Sequence, residues 1–325
     1  MQIKKKHLIW SIVSIMAFIL GGEIFARYYL GLGTPPLTVA HPKIEYLCKP
    51  NQDGYRFGNH FIINQYGMRT EPFAAQKASG EFRIMVFGDS VVNGGNQTDQ
   101  AALATTILKD RLRKATAKNV LVGNISAGSW GPGNWLAYAK EYGFFGADIV
   151  VLVISSHDYI DNPTFQALDK KTQPTENPFS ALLEGITIYV PRYLPLLSAD
   201  NKSTAAPKQF TAEAIEQEAQ KGLDDLRRFL ELAKSAAPNV LVLQHWEKPE
   251  IESGSANTGN MRIKVVCEQL GISPISLEPY FRRSIKNGAN PYRDNLHPNE
   301  VGQQLIAEAI LANMPNTYKP AAANR

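Results

Sequence analysis

Two short segments, far apart in the chain, carry residue types suited to nucleophilic chemistry. The first is Gly88-Asp89-Ser90, directly after the apolar run 83–87. A glycine lets the chain turn sharply off a strand, and a serine placed there can attack a carbonyl if a base is near. Alone, the three residues fit an ordinary strand-ending turn as well. The second is Asp294-Asn295-Leu296-His297-Pro298. Three-residue spacing on one loop lets the carboxylate reach the imidazole. It can then hold the ring's tautomer and stabilise the imidazolium formed when a serine proton is taken. Pro298 suits the first turn of a following helix, so this loop also fits a helix cap with an exposed histidine.

Weaker signals lie nearby. Asn93 and Asn96 follow the serine, and His245-Trp246 follows the run 240–243. All four are placed to touch a substrate, though loop polarity explains the asparagines equally well. His157, Asp158 and Asp161 are metal-ligating types, but no further compact ligand set accompanies them, so the expectation is no metal and no cofactor. Cys48 and Cys267 do not make a disulfide framework, and Cys267 sits in an apolar-periodic stretch that reads as a buried thiol.

The elements that must position these residues are legible as a pattern. Short apolar, β-branched runs at 83–87, 120–122, 149–154, 240–243 and 272–277 suit strands buried on both faces of a parallel sheet. Pro274 puts the last one at an edge. Helical periodicity at 101–113, 135–145, 212–234 and 261–270, and again after Pro298, alternates with them. This βαβα order predicts an α/β fold, a three-layer α/β/α sandwich with a five-stranded parallel sheet. In such sheets ligands bind beyond the carboxyl ends of the strands, which is where both chemical segments fall. Residues 164–207 lack the pattern and read as a surface insertion, with the apolar stretch 182–197 inside it a candidate lid. Residues 55–69 read as a short hairpin, and the Pro/Gly-bearing residues 31–50 as an extended stalk. The expected organisation is therefore an N-terminal segment over 1–30, a stalk and hairpin over 31–80, and the α/β domain over 81–325.

The N-terminus points to a membrane. Lys4-Lys5-Lys6 precede an uncharged apolar run from Leu8 to Gly22, short of the roughly 20 residues a span prefers. Extending it past Glu23 to Ala26 reaches that length, with Arg27, Tyr28 and Tyr29 as an interfacial belt. The lysines predict a cytoplasmic N-terminus and an extracytoplasmic body, held at the cell membrane by an uncleaved anchor. A cleaved signal segment is the alternative that also exports the body, and a buried core helix is a third reading. With 44% hydrophobic and 20% charged residues the composition is that of a globular protein with a full core. The net charge of +4 owes much to Lys4–Lys6 and leaves no dense basic patch, which argues against nucleic acid as a partner.

Order and placement sharpen the reading. A serine after the first strand and Asp-x-x-His before the last helix resemble the SGNH/GDSL hydrolases over about residues 83–310. That resemblance implies a flavodoxin-like five-stranded parallel sheet and ester hydrolysis through an acyl-serine. Ser90 would be the nucleophile and give one oxyanion-hole amide, His297 would be its base, and Asp294 would orient His297. The family's second block, a glycine whose N–H joins the oxyanion hole, falls on Ser129, or on Gly128 with a one-residue shift. A backbone amide donates from either. In the third block, His157 of Ser155-Ser156-His157-Asp158 stands where the family has an asparagine that donates to the oxyanion. An imidazole can also donate, while a structural pairing of His157 with Asp158 or Asp161 is the alternative. The expected function is an exported serine esterase or acyl transferase acting on an O-acyl, in particular acetyl, ester of an envelope glycan or lipid. The expected partners are that acylated carbohydrate or lipid and the membrane itself. A non-catalytic glycan-binding or assembly protein on the same scaffold is the alternative.

Overall fold

The structure is a computed structural model and describes residues 2–116, 119–190 and 211–319. After helix α1 (Gln2–Ile24) and a wide helical turn (Phe25–Tyr29) come two hairpins, β1 (Thr38–His41) with β2 (Glu45–Cys48), and β3 (Gln52–Arg56) with β4 (Asn59–Ile63). The α/β body follows: β5 (Phe82–Gly88), α2 (Ser90–Asn93), α3 (Ala104–Thr116), β6 (Val120–Ser126), α4 (Pro132–Tyr142) and β7 (Ile149–Ser155). The insertion carries α5 (Ala181–Glu184), which runs on through Gly185–Tyr189. Then come α6 (Ala212–Ala236), β8 (Asn239–His245), α7 (Lys248–Ser253), α8 (Thr258–Gln269), β9 (Ile275–Ser276), α9 (Glu278–Lys286) and α10 (Glu300–Asn313).

The five strands β5–β9 form one sheet in the order β6-β5-β7-β8-β9, every pair parallel. The alternation of side chains along each strand divides the core in two. Met85, Phe87, Val150, Leu152 and Ile154 face one layer, where they meet Trp135 and Tyr138 of α4 and Leu226, Phe229 and Leu230 of α6. Ile84, Val86, Ile149, Val151 and Val153 face the other, against Leu108 and Leu112 of α3 and Ile306 and Ile310 of α10. The chain enters at β5, steps to β6 on one side and crosses to β7 on the other. The outgoing loops therefore diverge at the carboxyl end of β5, the switch point where open α/β sheets hold ligands.

The expected sheet and edge strand correspond to observed elements, and the hairpin read over 55–69 is observed over 52–63. The expected extended stalk does not. Residues 38–48 pair as a hairpin, and Ile44, Tyr46 and Leu47 are buried in the α4/α6 core. Apolar residues at these spacings gain more from burial than from hydration, so this segment folds onto the domain. The candidate lid at 182–197 is seen as helix only to Val190, and its remainder lies outside the described residues. Cys48 and Cys267 are free thiols.

Candidate active site at the end of the first core strand

Gly88 ends β5 in a place with no room for a side chain, since a Cβ there would come within 2.3 Å of Val92 Cγ2. Asp89 then caps the short helix α2 by accepting from Val91 N–H at 2.8 Å. Ser90 is the first residue of that helix, so its N–H has no intrahelical acceptor. Its Oγ lies 3.0 Å from His297 Nε2, and His297 Nδ1 lies 2.8 Å from Asp294 Oδ2. The other carboxylate oxygen of Asp294 accepts from the N–H groups of Leu296 and His297 at 2.8 and 2.7 Å. Although partial burial opposes the charge on Asp294, these bonds and the nearby imidazole hold it down at about 2. It stays ionised through the working pH range. The arrangement can pass a proton from a serine hydroxyl to an imidazole whose second nitrogen faces a fixed carboxylate.

The loop that presents His297 is held from below. His245, at the end of β8, is fully buried and donates Nε2–H to Leu296 O at 2.8 Å. Burial pushes its imidazole down to about 4, so it sits neutral beneath the loop. Lys248 N–H donates to Asn295 O at 2.8 Å, and Tyr292 Oη donates to Trp246 O. On the serine side, Arg69 is buried and donates to Asn93 O, Gly95 O and Thr98 O, which fixes the loop after α2. Gln303 of α10 donates to Val91 O at 2.7 Å and ties the last helix to α2.

Ser90, Asn93, Gly128 and Ser129 line one cleft of about 790 Å³. Asn93 donates its amide to Ser126 O at 3.0 Å, so part of its polarity serves the fold. Ser129 has a left-handed backbone, φ +54°, a conformation that favours glycine and accounts for glycine being the expected residue type there. The far wall comes from Pro35, Pro36 and Arg56 in the N-terminal part and from residues 170–179, Glu184, Ile188 and Tyr189 of the insertion. No simple motif in either segment marks it as cleft-lining.

Two expected site residues take other places. His245 is under the Asp294–His297 loop and not on the cleft, because the carbonyl of Leu296 occupies its donor. Trp246 packs against the α3/α10 core and is also absent from the cleft lining. His157 pairs with carboxylates. Its Nε2 lies 3.3 Å from Asp158 and 3.5 Å from Asp89, and its Nδ1 lies 3.3 Å from Glu247. Partial burial opposes its charge, but the Glu247 hydrogen bond and the charges of Asp158, Asp89 and Glu247 outweigh that and push it up to about 10. Burial in turn raises both Asp89 and Asp158. Ligand atoms of Asp89, His157 and Asp158 lie within 4.8 Å of one another. A metal would need the imidazole deprotonated, whereas these carboxylates favour the imidazolium. Glu247 is the member that sequence reasoning overlooked. Its signal was its place as the cap of α7, three residues before Glu250, which takes its N–H at 2.8 Å.

The turn bearing His157 is clamped by close backbone approach. A Cβ on Gly259 would meet Ser156 O at 1.7 Å, one on Gly131 would meet Asp161 O at 2.0 Å, and one on Gly222 would meet Tyr159 O at 2.1 Å. Three separate helical elements thus press on the turn that faces Asp89, the neighbour of Ser90.

Among solved structures, the chain is similar to a catalytic mutant of Axe2, an acetylxylan esterase from Geobacillus stearothermophilus. The identity is 13%, with a TM-score of 0.47, over 76% of this chain and 99% of that one. It is similar to a lipolytic G-D-S-L family protein from Veillonella parvula at 15% identity and TM-score 0.41, covering 72% and 98%. A two-domain esterase active on acetylated mannans matches at 14% and 0.46, covering 76% and 52%. No curated protein sequence matches the chain. The family GDSL-like Lipase/Acylhydrolase matches residues 84–310. Since that match covers well over half of the chain and runs from the strand before Ser90 into the helix after His297, the chain belongs to the GDSL-like lipase/acylhydrolase family and is an ester-bond hydrolase.

Proposed function

We propose that the protein is a membrane-anchored serine esterase whose nucleophile is Ser90, with His297 as base and Asp294 as its orienting carboxylate. The observation that carries this is the continuous chain from Ser90 Oγ to His297 at 3.0 Å and from His297 to Asp294 at 2.8 Å. Ser90 Oγ attacks the acyl carbonyl as its proton passes to His297 Nε2. The tetrahedral oxyanion is met by the N–H groups of Ser90 and of Gly128 or Ser129. Collapse breaks the ester C–O bond, and the departing alkoxide takes the proton from His297. Water then loses a proton to His297 and attacks the acyl-serine, and the acid is released as His297 returns that proton to Ser90 Oγ, while a sugar hydroxyl in the same place would complete acyl transfer.

The substrate we favour is an O-acyl, in particular acetyl, ester on a glycan or lipid of the cell envelope. The cleft supports a hydroxyl-rich ligand, since Asn93, Asn96, Lys170, Gln173 and Asn177 line it together. Export is supported by helix Lys5–Tyr29, which is long and apolar enough to cross a membrane and whose apolar stretch is not covered by the rest of the protein. The lysines before it favour a cytoplasmic N-terminus and an extracytoplasmic cleft.

The test is a fluorophosphonate probe applied to the full chain, followed by mapping of the labelled peptide. Labelling at Ser90 that disappears in Ser90→Ala and His297→Ala is expected. A folded protein that takes no label would favour instead a non-catalytic glycan-binding role, which has in its support that both ring nitrogens of His157 face carboxylates.

A further inference from the structure

The insertion is fastened to the end of the apolar N-terminal helix. Glu23, in the last turn of α1, accepts from Ser180 Oγ at 2.7 Å, Ala181 N–H at 3.0 Å and Leu182 N–H at 2.9 Å. One carboxylate of the apolar helix thereby serves the exposed N–H groups that begin α5. Arg27 bonds Glu23 at 2.6 Å and reaches Phe179 O at 3.4 Å. Leu182 packs on Gly22, where a Cβ would meet Leu182 Cδ2 at 3.0 Å. Ala26, Leu32 and Ala181 close a small apolar cluster at this joint. Glu184, from the same short helix, accepts from Gly33 N–H at 2.7 Å and pairs with Arg56. Helix 181–189 is thus seated at the level where the apolar helix ends.

That seating leaves an unpartnered apolar face. Leu183 is 56% exposed and Ile186 52% exposed, three residues apart and so on one side of the helix, and Phe179 just before it is 98% exposed. Phe25, Tyr28 and Tyr29, at the end of the anchor to which this helix is bonded, are exposed as well. Glu184 and Ile188, four residues apart, line the cleft that holds Ser90, and Phe179 stands at its lip. One helix, about 10 Å across, therefore separates the anchor's end from the reaction cleft.

We propose that helix 181–189 lies in the headgroup layer of the bilayer that holds the anchor, with Phe179, Leu183 and Ile186 dipped into its apolar edge, and that the cleft acts on esters presented at that bilayer. The occupant of the apolar face is the lipid surface, and the helix's bonding to the end of the anchor, through Glu23 to Ser180, Ala181 and Leu182, is what selects it. An apolar helical face beside a span gains from insertion in proportion to the area buried. The proposal rests on the anchor and Ser90 readings above, and it narrows the substrate to an acyl ester carried by a membrane lipid or by a glycan linked to one.

The experiment uses the full chain, on a Cys48→Ser, Cys267→Ser background, reconstituted into vesicles of phosphatidylcholine and phosphatidylglycerol. Spin labels at Leu183→Cys and Ile186→Cys should relax with dissolved oxygen more than with a water-soluble nickel chelate. A label at Met261→Cys, on the exposed face of α8, should do the reverse. In a second arm, Leu183→Glu with Ile186→Glu should cut hydrolysis of a vesicle-held fluorogenic acyl ester by about tenfold, and leave a soluble nitrophenyl ester within about twofold. Labels at 183 and 186 that read as aqueous as Met261, or equal loss on both esters, would overturn the proposal. The label readout needs no turnover, so it decides the membrane contact even where Ser90 proves not to be the nucleophile.

Discussion

His245 donates its Nε2 proton to the carbonyl of Leu296 at 2.8 Å, one residue before His297. A buried, neutral imidazole thus fixes the height of the loop that presents His297 to Ser90. We predict that His245→Ala lowers kcat on a soluble ester by roughly 10–100-fold with a smaller change in KM, because a small displacement of the base costs that much. His245→Gln, which can still donate, should recover part of the loss. Equal kcat in both variants and the parent would exclude the positioning role. The sign for stability follows from the depressed pKa. With an unfolded value near 6.5 and a folded value near 4, His245 favours the folded state above pH 6.5, and this contribution is lost as pH falls toward 4. His245→Gln should flatten that acid limb in thermal melts.

The His157 group predicts an alkaline limb of opposite sign. Its folded pKa of about 10 stands above the ordinary value of 6.5, so its contribution is full below pH 6.5 and is lost as pH rises through about 10. Glu247→Gln removes the first of the raising partners and should move the midpoint of that loss down by roughly one unit. His157→Asn should abolish the limb, at the cost of stability at neutral pH, because Asp89 and Asp158 would lose their cation. Melting curves from pH 6 to 10 read both effects, and an unchanged midpoint in Glu247→Gln would count against the pairing.

Ser129 offers a test that does not touch a side-chain contact. A left-handed backbone costs a non-glycine residue roughly 1–2 kcal/mol, while glycine gives back about 0.5–1 kcal/mol through the freer unfolded chain. The first term is larger, so Ser129→Gly should stabilise by roughly 0.5–1 kcal/mol, with hydrolysis retained because the amide remains. Chemical denaturation and a soluble-ester assay check the two halves separately, and a destabilised variant would show that the serine side chain has a contact worth more than the strain.

How much of this was legible in the sequence depended on the range of the interaction. The meeting of Ser90 with the Asp294/His297 pair could be read because each lies in a local pattern, a strand-ending turn and a three-residue spacing, and because α/β topology brings strand ends to one edge. The five core strands could be read because burial on both faces leaves continuous runs such as 149–154. The place of His245 could not be read because sequence proximity to a strand end says nothing of which way a ring turns. The 38–48 hairpin could not be read because its burying residues, Ile44, Tyr46 and Leu47, sit among prolines and glycines that mimic a linker. The far cleft wall could not be read, since Arg56 and Glu184 are 128 positions apart and meet only after the insertion folds back.

The turn bearing His157 predicts sensitivity to a single methyl group. Gly259 leaves its backbone so close to Ser156 O that a Cβ would fall at 1.7 Å, against backbone and not a flexible chain end. Gly259→Ala must shift either α8 or the turn, and overpacking of this kind costs typically 1–3 kcal/mol. Because the turn faces Asp89, hydrolysis should fall along with stability. The same change at Gly143, where nothing lies within 4 Å but φ is +72°, should cost only backbone strain and leave kcat as it was. Equal effects of the two substitutions on kcat would refute the coupling of this turn to the serine.

The cleft wall rests on a buried ion pair, and that fixes what its loss should do. Arg56 and Glu184 meet at 2.5 Å with both side chains almost wholly enclosed. Arg56 also donates to Tyr189 Oη at 2.8 Å, and its guanidinium lies over the Phe57 ring at 4.5 Å. Removing one partner of such a pair leaves an uncompensated charge in low dielectric, a loss of about 3–5 kcal/mol, far more than the pair itself contributes. Glu184→Gln should therefore destabilise strongly, and the change should be concentrated where Glu184 also holds Gly33 N–H. Helix 181–189 would loosen from the cleft while the Ser90–His297 contact, carried by β5 and the α10 entry loop, stays. The kinetic signature is a raised KM for a bulky acyl-glycan ester, with kcat on a small nitrophenyl ester changed little. A double Arg56→Met, Glu184→Leu variant, which removes both charges, should recover most of the stability. If it melts as early as Glu184→Gln, the loss comes from the hydrogen bond to Gly33 and not from the buried charge.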